Sequence, residues 1–436
     1  MRFSERFPAL TSRDFFIFWV GQFISLIGTW MQNTTLPYLA FRLSGRPLDL
    51  GLIGFSSTLP TLLLALPGGV LVERLDRRKT VIVMQFIMMV QALALAVLTF
   101  NGMIRISQII VLSLVLGAAS SIEITARQSM LVELVGKPSL PNAIALQSAI
   151  FTLARVVGPS LSALVLVLVQ NQGEGWAFLV NAISFLFVIV GLFFVRTPYR
   201  VAPQDSGDGQ AGMRAQLGEG WRYVRGNSVV LPIIVLAMLI GFFGFPFGQQ
   251  IPAIGRDVLS RLSDTEELIK ARTSGLYLAQ GVGALAAALF ISSFSHLRRK
   301  GGLMAVGGFV FAAALTLVSL ASNVPLAFIL ICVIGWAMVS QLMMMNTLIQ
   351  LDVPDRLRGR VFSVYLWALQ GVAPFGSLFI GWLAQTSGVP LAAFVCGCAC
   401  ILSLLFVHAR WPLLRRDESP PAAELSPTPG NEGPFI

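Results

Sequence analysis

The chain has 436 residues, of which 55% are hydrophobic and only 12% are charged. So few charges cannot coat water-soluble domains of this length, and apolar runs of about 20 residues, long enough to cross hydrocarbon, recur from end to end. The net charge of +10 does not indicate nucleic acid, because the cations lie in short loops between the apolar runs. Cations in such loops orient a membrane protein and contact anionic lipid. A multi-pass membrane protein is therefore predicted.

Hydropathy and length predict twelve membrane spans. The first six lie near residues 15–41, 50–73, 80–100, 105–127, 142–170 and 175–195, and the last six near 229–254, 273–295, 302–321, 325–349, 361–386 and 390–411. Residues 1–14, 196–228 and 412–436 fall outside the spans. The middle segment is predicted to be a cytoplasmic linker that ends in an amphipathic surface helix, and the tail is predicted to be disordered.

Lys and Arg are distributed unequally between the two sides of the predicted membrane protein. With the N-terminus in the cytoplasm, 23 of the 31 Lys and Arg residues fall on the cytoplasmic side and seven on the other side. Both termini are therefore predicted to be cytoplasmic.

The connection between the second and third spans carries a charged motif, Gly69-Val-Leu-Val-Glu-Arg-Leu-Asp-Arg-Arg-Lys79. It resembles the loop between helices 2 and 3 of the major facilitator superfamily, roughly G-x-L-a-D-R-x-G-R-R. The matching residues are Gly69, Arg74, Arg77 and Arg78. Glu73 stands for the usual Asp and keeps its charge, whereas Asp76 stands for the usual Gly and gives up its backbone freedom.

The second half of the chain repeats the first. The run from Leu134 to Asn142 precedes a span that carries Gly158 and Pro159, and the run from Leu351 to Arg360 precedes a span that carries Pro374. Six spans, a linker and six more spans form the parallel repeat of a major facilitator protein, so the resemblance covers about residues 12–412. It implies an all-α membrane protein with twelve transmembrane helices in two pseudo-symmetric six-helix bundles, residues 15–195 and 229–411. Helix bends are expected at Gly158, Pro159 and Pro374.

Four further phrases resemble a bacterial efflux branch of this superfamily, which includes the enterobactin exporter and macrolide efflux permeases. The phrases are residues 18–32, Thr125-Ala-Arg-Gln128, Gly158-Pro159 and Arg358-Gly-Arg-Val361. Their order and spacing together carry the resemblance, since none is specific alone.

Polar and aromatic side chains at helical spacing are candidates for a substrate cavity, because a polar side chain that faces lipid is costly. The candidates are Gln22, Ser25, Gln32, Asn33, Phe242, Phe245, Gln249, Tyr277, Gln280, Trp336, Trp367 and Gln370. Helix–helix hydrogen bonding and ordinary aromatic packing are the alternative for these residues. Arg155 is the only charge well inside a span, and it is predicted either to contact an anion or substrate in the cavity or to form a structural ion pair.

A second candidate site is a conformational latch. Glu123 and Arg127 lie four residues apart, a spacing typical of a stabilising helix pair. The resemblance implies a further role, since in the superfamily an acid at the end of helix 4 pairs with the motif arginine, here Arg77. Glu73 would meanwhile face the positive end of helix 11. These contacts would hold the cytoplasmic halves together in the outward-open state, with Gly69, Glu73, Arg74, Asp76, Arg77, Arg78, Glu123 and Arg127 as the latch; a plain topology signal is the alternative.

The residue that couples transport to protons is not identified by the sequence. Related antiporters often carry an arginine four residues before a glycine in helix 4, where this chain has Ser113, and Glu123 is the nearest candidate acid. The chain has no P-loop and no nucleophile with an adjacent base, so no enzyme activity and no cofactor are predicted. Its four cysteines lie within apolar runs, which argues against a metal site.

The resemblance implies a secondary transporter that exports small amphipathic or aromatic molecules, such as a drug, a macrolide or a siderophore, by alternating access. It further implies protons as the coupling ion, membrane lipids as partners, a monomeric state, no nucleic acid, and a location in the bacterial inner membrane. Two alternatives stay open. One is an importer or facilitator of a metabolite or lysophospholipid on the same fold, and the other is a membrane receptor or assembly factor that does not transport.

Overall fold

The computed structural model describes residues 7–169, 172–196, 209–260, 264–293, 300–321 and 323–411. Within these ranges, twelve helices are long and apolar enough to cross a membrane, which confirms the predicted all-α architecture. The first six are α1 (Arg13–Ser44), α2 (Pro47–Arg74), α3 (Arg77–Phe100), α4 (Ile106–Gly136), α5 (Pro138–Leu168) and α6 (Gly173–Phe194). The last six are α7 (Val230–Val258), α8 (Glu266–Ser293), α9 (Lys300–Val318), α10 (Val324–Asp352), α11 (Leu357–Ser387) and α12 (Val389–Arg410). A linker helix, Gly209–Gly226, separates the two sets.

Capping side chains and glycines set several helix ends. Ser12 accepts a hydrogen bond from the Phe15 N–H at the start of α1, and Gly45 ends that helix with a left-handed φ of 61°. Asp76 begins α3 in the same way, since its carboxylate accepts a hydrogen bond from the Lys79 N–H at 3.1 Å. The loop between α2 and α3 therefore consists of only two residues, Leu75 and Asp76.

The junction of α4 and α5 differs from the sequence-based expectation of a loop over residues 128–141. The helix continues to Gly136, which alone within this stretch has non-helical angles (φ 71°, ψ 165°), and α5 begins at Pro138. Glycine adopts this left-handed conformation without steric cost, and proline is well suited to the first position of a helix, so a single residue turns the chain.

Two of the C-terminal spans are interrupted. The α-helical part of α7 ends at Phe243, and a 3-10 turn (Phe245–Gln250) and a π turn (Ile254–Val258) follow. In α11 the helical segments are Asp355–Gln370 and Ala373–Ser387, with Pro374 as the second residue of the later segment. In contrast, the backbone angles at Gly158 and Pro159 are helical, so this pair does not interrupt α5.

Corresponding helices of the two halves make corresponding contacts. Gly117 of α4 packs on the Ser57 backbone of α2, and Gly335 of α10 packs on the Gln280 backbone of α8 in the equivalent position. Likewise Gly158 of α5 packs on α1, and Gly376 of α11 packs on α7. Two six-helix bundles of the same architecture result, as predicted.

The bundles meet along two helix pairs, α2 with α11 and α5 with α8. We call the end that carries Arg13 and Arg410 the terminal end, and the opposite end the far end. At the far end Gly51 packs so closely on α11 that a Cβ on it would lie 2.5 Å from the Ser377 carbonyl oxygen. Close backbone approach of this kind draws the two bundles together there.

Candidate functional site

Four side chains from both bundles form a cluster at the middle of the membrane-spanning region. The rings of Trp30 (α1) and Phe151 (α5) pack edge to face with their centroids 5.7 Å apart. The guanidinium of Arg155 lies 5.5 Å from the centroid of the Trp30 ring. Its Nη2 is 3.8 Å from the sulfur of Met338, on α10. We call Trp30, Phe151, Arg155 and Met338 the central cluster.

The central cluster places a cation near the middle of the membrane-spanning region. Arg155 is about 25 Å along α5 from Pro138 and about 20 Å from Leu168, at 1.5 Å per residue. In the part of the chain that the structure describes, no carboxylate forms an ion pair with Arg155, and its contacts are the Trp30 ring and the Met338 sulfur. A guanidinium on an aromatic face is stabilised by the cation–π interaction but keeps donors for an anion.

An apolar contact between the bundles adjoins the central cluster. Val156 of α5 packs with Ala284 and Ala287 of α8 and with Val339 of α10, and all four side chains are buried. This contact lies on the far-end side of Phe151, whose side chain is 47% exposed. The apolar contact therefore separates Phe151 from the far end of the bundles.

Two of the polar candidates in α1 are buried at the middle of the helix. Gln22 and Ser25 are 3% and 2% exposed, and the Gln22 Oε1 atom has no hydrogen-bond partner among the described residues. An unpaired buried amide oxygen is a potential acceptor for a ligand or water. Asn33, about one helical turn beyond Trp30 toward the far end, is exposed.

Gln32 requires a correction, because it is not available to a cavity. Its side chain is fully buried, donates to Gln91 Oε1 at 3.2 Å and accepts from Asn181 Nδ2 at 2.8 Å. The three amides join α1, α3 and α6 inside the N-terminal bundle. The helix–helix bonding alternative is therefore the correct one for this residue.

Of the three candidates in α7, two belong to the interior of the C-terminal bundle and one approaches the N-terminal bundle. Phe242 packs against Phe243 and Phe379, with ring centroids 4.8 Å and 5.6 Å away, and so belongs to the aromatic interior of the C-terminal bundle. Phe245 is half-buried against the core of that bundle. Gln249 instead approaches Gly54 of α2, and its Oε1 atom has no partner among the described residues.

The candidates in α8, α10 and α11 differ in exposure. Tyr277 is 6% exposed and its hydroxyl has no hydrogen-bond partner among the described residues, whereas Gln280 is half-buried. Trp336 packs edge to face on Phe290 at 5.9 Å. Trp367 is 54% exposed and Gln370 is also exposed.

The latch arginine has a different partner from the expected one. Arg77 Nη1 lies 2.5 Å from Glu133 Oε1 and 3.4 Å from the Ser129 carbonyl oxygen. Glu123 instead pairs with Arg127 at 3.1 Å and accepts from Gln85. The Arg77–Glu123 pair expected for the outward-open state is not formed in this structure, because α4 continues to Gly136 and brings Glu133, ten residues beyond Glu123, to the level of the loop.

The remaining latch residues are placed as follows. Asp76 caps α3, as described above, and Arg78 is half-buried beside it. The side chains of Glu73 and Arg74 and the surroundings of Gly69 lie outside what the structure describes.

The far end holds an inter-bundle contact that the sequence did not indicate. Lys270 of α8 is 8% exposed, and its ammonium Nζ donates to the Val169 carbonyl oxygen at the end of α5, at 3.2 Å. Beside it Glu174 is fully buried and pairs with Arg42 at 3.2 Å. A second contact of the same kind joins Gln250 Nε2 to the Pro47 carbonyl oxygen at 3.4 Å. The bundles are thus closed at the far end.

The central cluster contains three residues that sequence reasoning missed, namely Trp30, Phe151 and Met338. Phe151 lies one helical turn before Arg155, so helical spacing alone would have identified it. Met338 is 183 residues from Arg155 in sequence. No local pattern points to such a contact.

Two bundles of six spans that meet around a cation-bearing cluster define a multi-pass membrane transporter. The chain belongs to the transmembrane secretion effector family of the major facilitator superfamily, whose model matches residues 4–430. The predicted relationship to the efflux branch is confirmed, and the protein is a transporter rather than an enzyme.

Several characterised transporters are similar to the chain. It is 24% identical over 367 residues to the multidrug efflux pump Tap of Mycolicibacterium fortuitum, covering 83% of this chain and 87% of Tap. It is 24% identical over 411 residues to the staphyloferrin A transporter of Staphylococcus aureus, covering 92% and 98%. The enterobactin exporter EntS of Salmonella choleraesuis is 24% identical over 361 residues, covering 82% of each chain.

Solved structures share the fold. The inward-facing, unoccupied bacterial homologue of the human lysosomal transporter Spinster superposes with a TM-score of 0.68 at 13% identity, covering 94% of this chain and 99% of that one.

Proposed function

We propose that the protein exports small amphipathic or anionic aromatic molecules from the bacterial cytoplasm by alternating access. The central cluster carries this proposal. It joins a cation, two aromatic rings and a polarisable sulfur at mid-depth, from both bundles. Rings stack on an aromatic or amphipathic substrate, the guanidinium binds a carboxylate, phenolate or catecholate oxygen, and the thioether adapts to varied shapes.

The proposed direction of transport is supported by the orientation of the chain and by the names of its relatives. The excess of Lys and Arg at the terminal end supports a cytoplasmic location of that end. The described contacts that close the far end then correspond to an inward-facing state, which receives substrate from the cytoplasm. The names of the relatives, a multidrug efflux pump and an enterobactin exporter, support export of drug-like or siderophore-like compounds.

The energy source in this proposal is the proton gradient of the inner membrane, and the transporting unit is the monomer. Both bundles and both helix pairs that join them come from one chain, so a complete transport pathway needs no second copy.

Proteoliposomes with a defined orientation test the proposal. Fluorescent compounds of three classes, anionic aromatic, cationic aromatic and neutral sugar, are loaded on the terminal side, and a proton gradient is imposed. We expect gradient-dependent efflux of the anionic aromatic class that a protonophore abolishes. Uptake in the opposite direction would support the importer alternative, and no flux of any class would support a receptor or assembly factor.

A further inference from the structure

The linker helix is a fixed part of the C-terminal bundle. Val224 is fully buried in the core of that bundle, and Glu219 forms an ion pair with Arg360 of α11. The Tyr223 hydroxyl donates to the Asp352 carbonyl oxygen at 3.2 Å, and just beyond the helix the amide of Asn227 donates to the Asp352 carboxylate at 2.7 Å. These contacts determine which face of the linker helix points away from the bundle.

The outward face of the linker helix pairs an aromatic ring with cations. Trp221 is 42% exposed, and Arg222 and Arg225 are exposed beside it. The Arg225 guanidinium lies 5.1 Å from the centroid of the Trp221 ring, as the spacing of four residues on one helix face allows. We call Trp221, Arg222 and Arg225 the linker surface.

The end of α12 repeats this arrangement on the same bundle. The Arg410 guanidinium lies 5.6 Å from the centroid of the Trp411 ring, and Arg410 is exposed. Trp411 and Tyr223 both pack partly buried against one core. Two separate Trp–Arg pairs therefore lie where spans leave the membrane at the terminal end.

The position and charge of the linker surface match a membrane headgroup layer. Val230 begins α7 four residues after the linker helix ends, so the helix lies at the membrane surface. Tryptophan prefers the headgroup level, and arginine near that level attracts anionic lipid. The neighbouring acids do not cancel this charge, because Glu219 is paired with Arg360 and the single carboxylate of Asp352, which accepts a hydrogen bond from Asn227, is outnumbered by Arg222 and Arg225.

We propose that the linker surface is a binding site for the headgroup of an anionic phospholipid. The lipid phosphate accepts hydrogen bonds from Arg225 and Arg222, while the Trp221 ring lies among the glycerol and upper acyl groups. Since the linker helix is fixed to the C-terminal bundle, the bound lipid ties that bundle, and not its partner, to this face of the membrane.

Fluorescence quenching in vesicles tests the site without a transport assay. The full chain is reconstituted in mixtures of phosphatidylcholine and phosphatidylglycerol, with one lipid brominated near the headgroup. The difference between wild type and Trp221→Phe isolates the Trp221 signal from the other seven tryptophans of the chain. We expect Trp221 to prefer phosphatidylglycerol by roughly 25-fold, and Arg225→Gln to reduce the preference about fivefold, since each of the two arginines near the surface contributes about that factor.

A matched control removes the same charge elsewhere. Arg46, exposed at the far end, is replaced by Gln, and the preference at Trp221 should stay within twofold of wild type. Equal quenching by both lipids in the wild type, or an unchanged preference in Arg225→Gln, would overturn the proposal. Loss of the preference on adding inorganic phosphate would also overturn it, because the ligand would then be a free anion.

Discussion

The ammonium of Lys270 lies 3.2 Å from the carbonyl oxygen of Val169 and so joins the start of α8 to the end of α5 across the two bundles. The carbonyls at a helix C-terminus carry partial negative charge, which stabilises a buried cation there. An alternating-access transporter must break this contact when the far end opens, so Lys270 is expected to set the balance between the two states.

Replacing Lys270 by Met should favour opening of the far end. The substitution keeps the apolar stem but removes a charge-assisted hydrogen bond, an interaction of about 1.5 kcal/mol or more, which corresponds to roughly a tenfold shift in population. Spin labels on Met103 and Leu320, 63% and 69% exposed at the far ends of the two bundles, report the distance. Arg46→Met removes an exposed charge at the same end and should leave the distance distribution as in wild type; a shift of equal size there would contradict the prediction.

The Arg77–Glu133 pair should matter as a unit for transport. Arg77→Ala and Glu133→Gln are each expected to slow transport of every substrate by about fivefold, the effect of roughly 1 kcal/mol for a partly exposed pair. The double variant should be no slower than either single variant, since both remove one interaction. Arg77→Ala combined with Glu123→Gln should instead show additive losses of initial rate. If these two losses were not additive, Glu123 rather than Glu133 would be the functional partner of Arg77.

Gly51 should be essential for closing the far end. Its Cβ position lies 2.5 Å from the Ser377 carbonyl oxygen and 3.0 Å from the Gly381 Cα, both backbone atoms that cannot move aside. Gly51→Ala is therefore expected to lengthen the distance between the far-end labels. Gly248→Ala is the control, because nothing lies within 4 Å of its Cβ position. A Gly51→Ala protein that closes as wild type does would show that the contact between α2 and α11 adjusts freely.

Arg155 should control substrate selectivity rather than transport itself. We expect Arg155→Gln to reduce export of anionic aromatic compounds by roughly tenfold, since a charge-assisted hydrogen bond is lost, while neutral amphipathic compounds are affected less than twofold. Arg155→Lys should retain part of the anionic activity. The measurement is a panel of drug susceptibilities and vesicle fluxes, and a uniform loss across all classes would indicate a structural role for Arg155.

Gln32 should affect stability rather than selectivity. Gln32→Leu leaves the buried amides of Gln91 and Asn181 without their partner, at a cost of about 1–3 kcal/mol. Thermal unfolding of the purified protein should occur at lower temperature, with the order of substrate preference unchanged. A change of selectivity without loss of stability would show that Gln32 contacts substrate rather than only joining the helices.

Hydropathy and length sufficed to predict the twelve spans and the two equivalent halves. A span must match the thickness of the bilayer, and its backbone hydrogen bonds must form within the helix itself. The pattern of apolar runs in the sequence therefore suffices to predict the topology. The boundary between α4 and α5 was missed because the charged residues, the glycine and the two prolines within residues 128–141 indicate a loop, whereas the left-handed angle at Gly136 lets one residue turn the chain.

Which helix faces meet was decided by the tertiary structure. Helical spacing shows that Gln22, Ser25 and Gln32 share a side of α1, yet only packing distinguishes the unpaired Gln22 amide from the fully bonded Gln32 amide. In a soluble helix the apolar face marks the core, but in a membrane every face is apolar and hydropathy no longer tells a neighbour from lipid. The partners of Arg77, Arg155 and Lys270 therefore emerged only when distant helices were brought together.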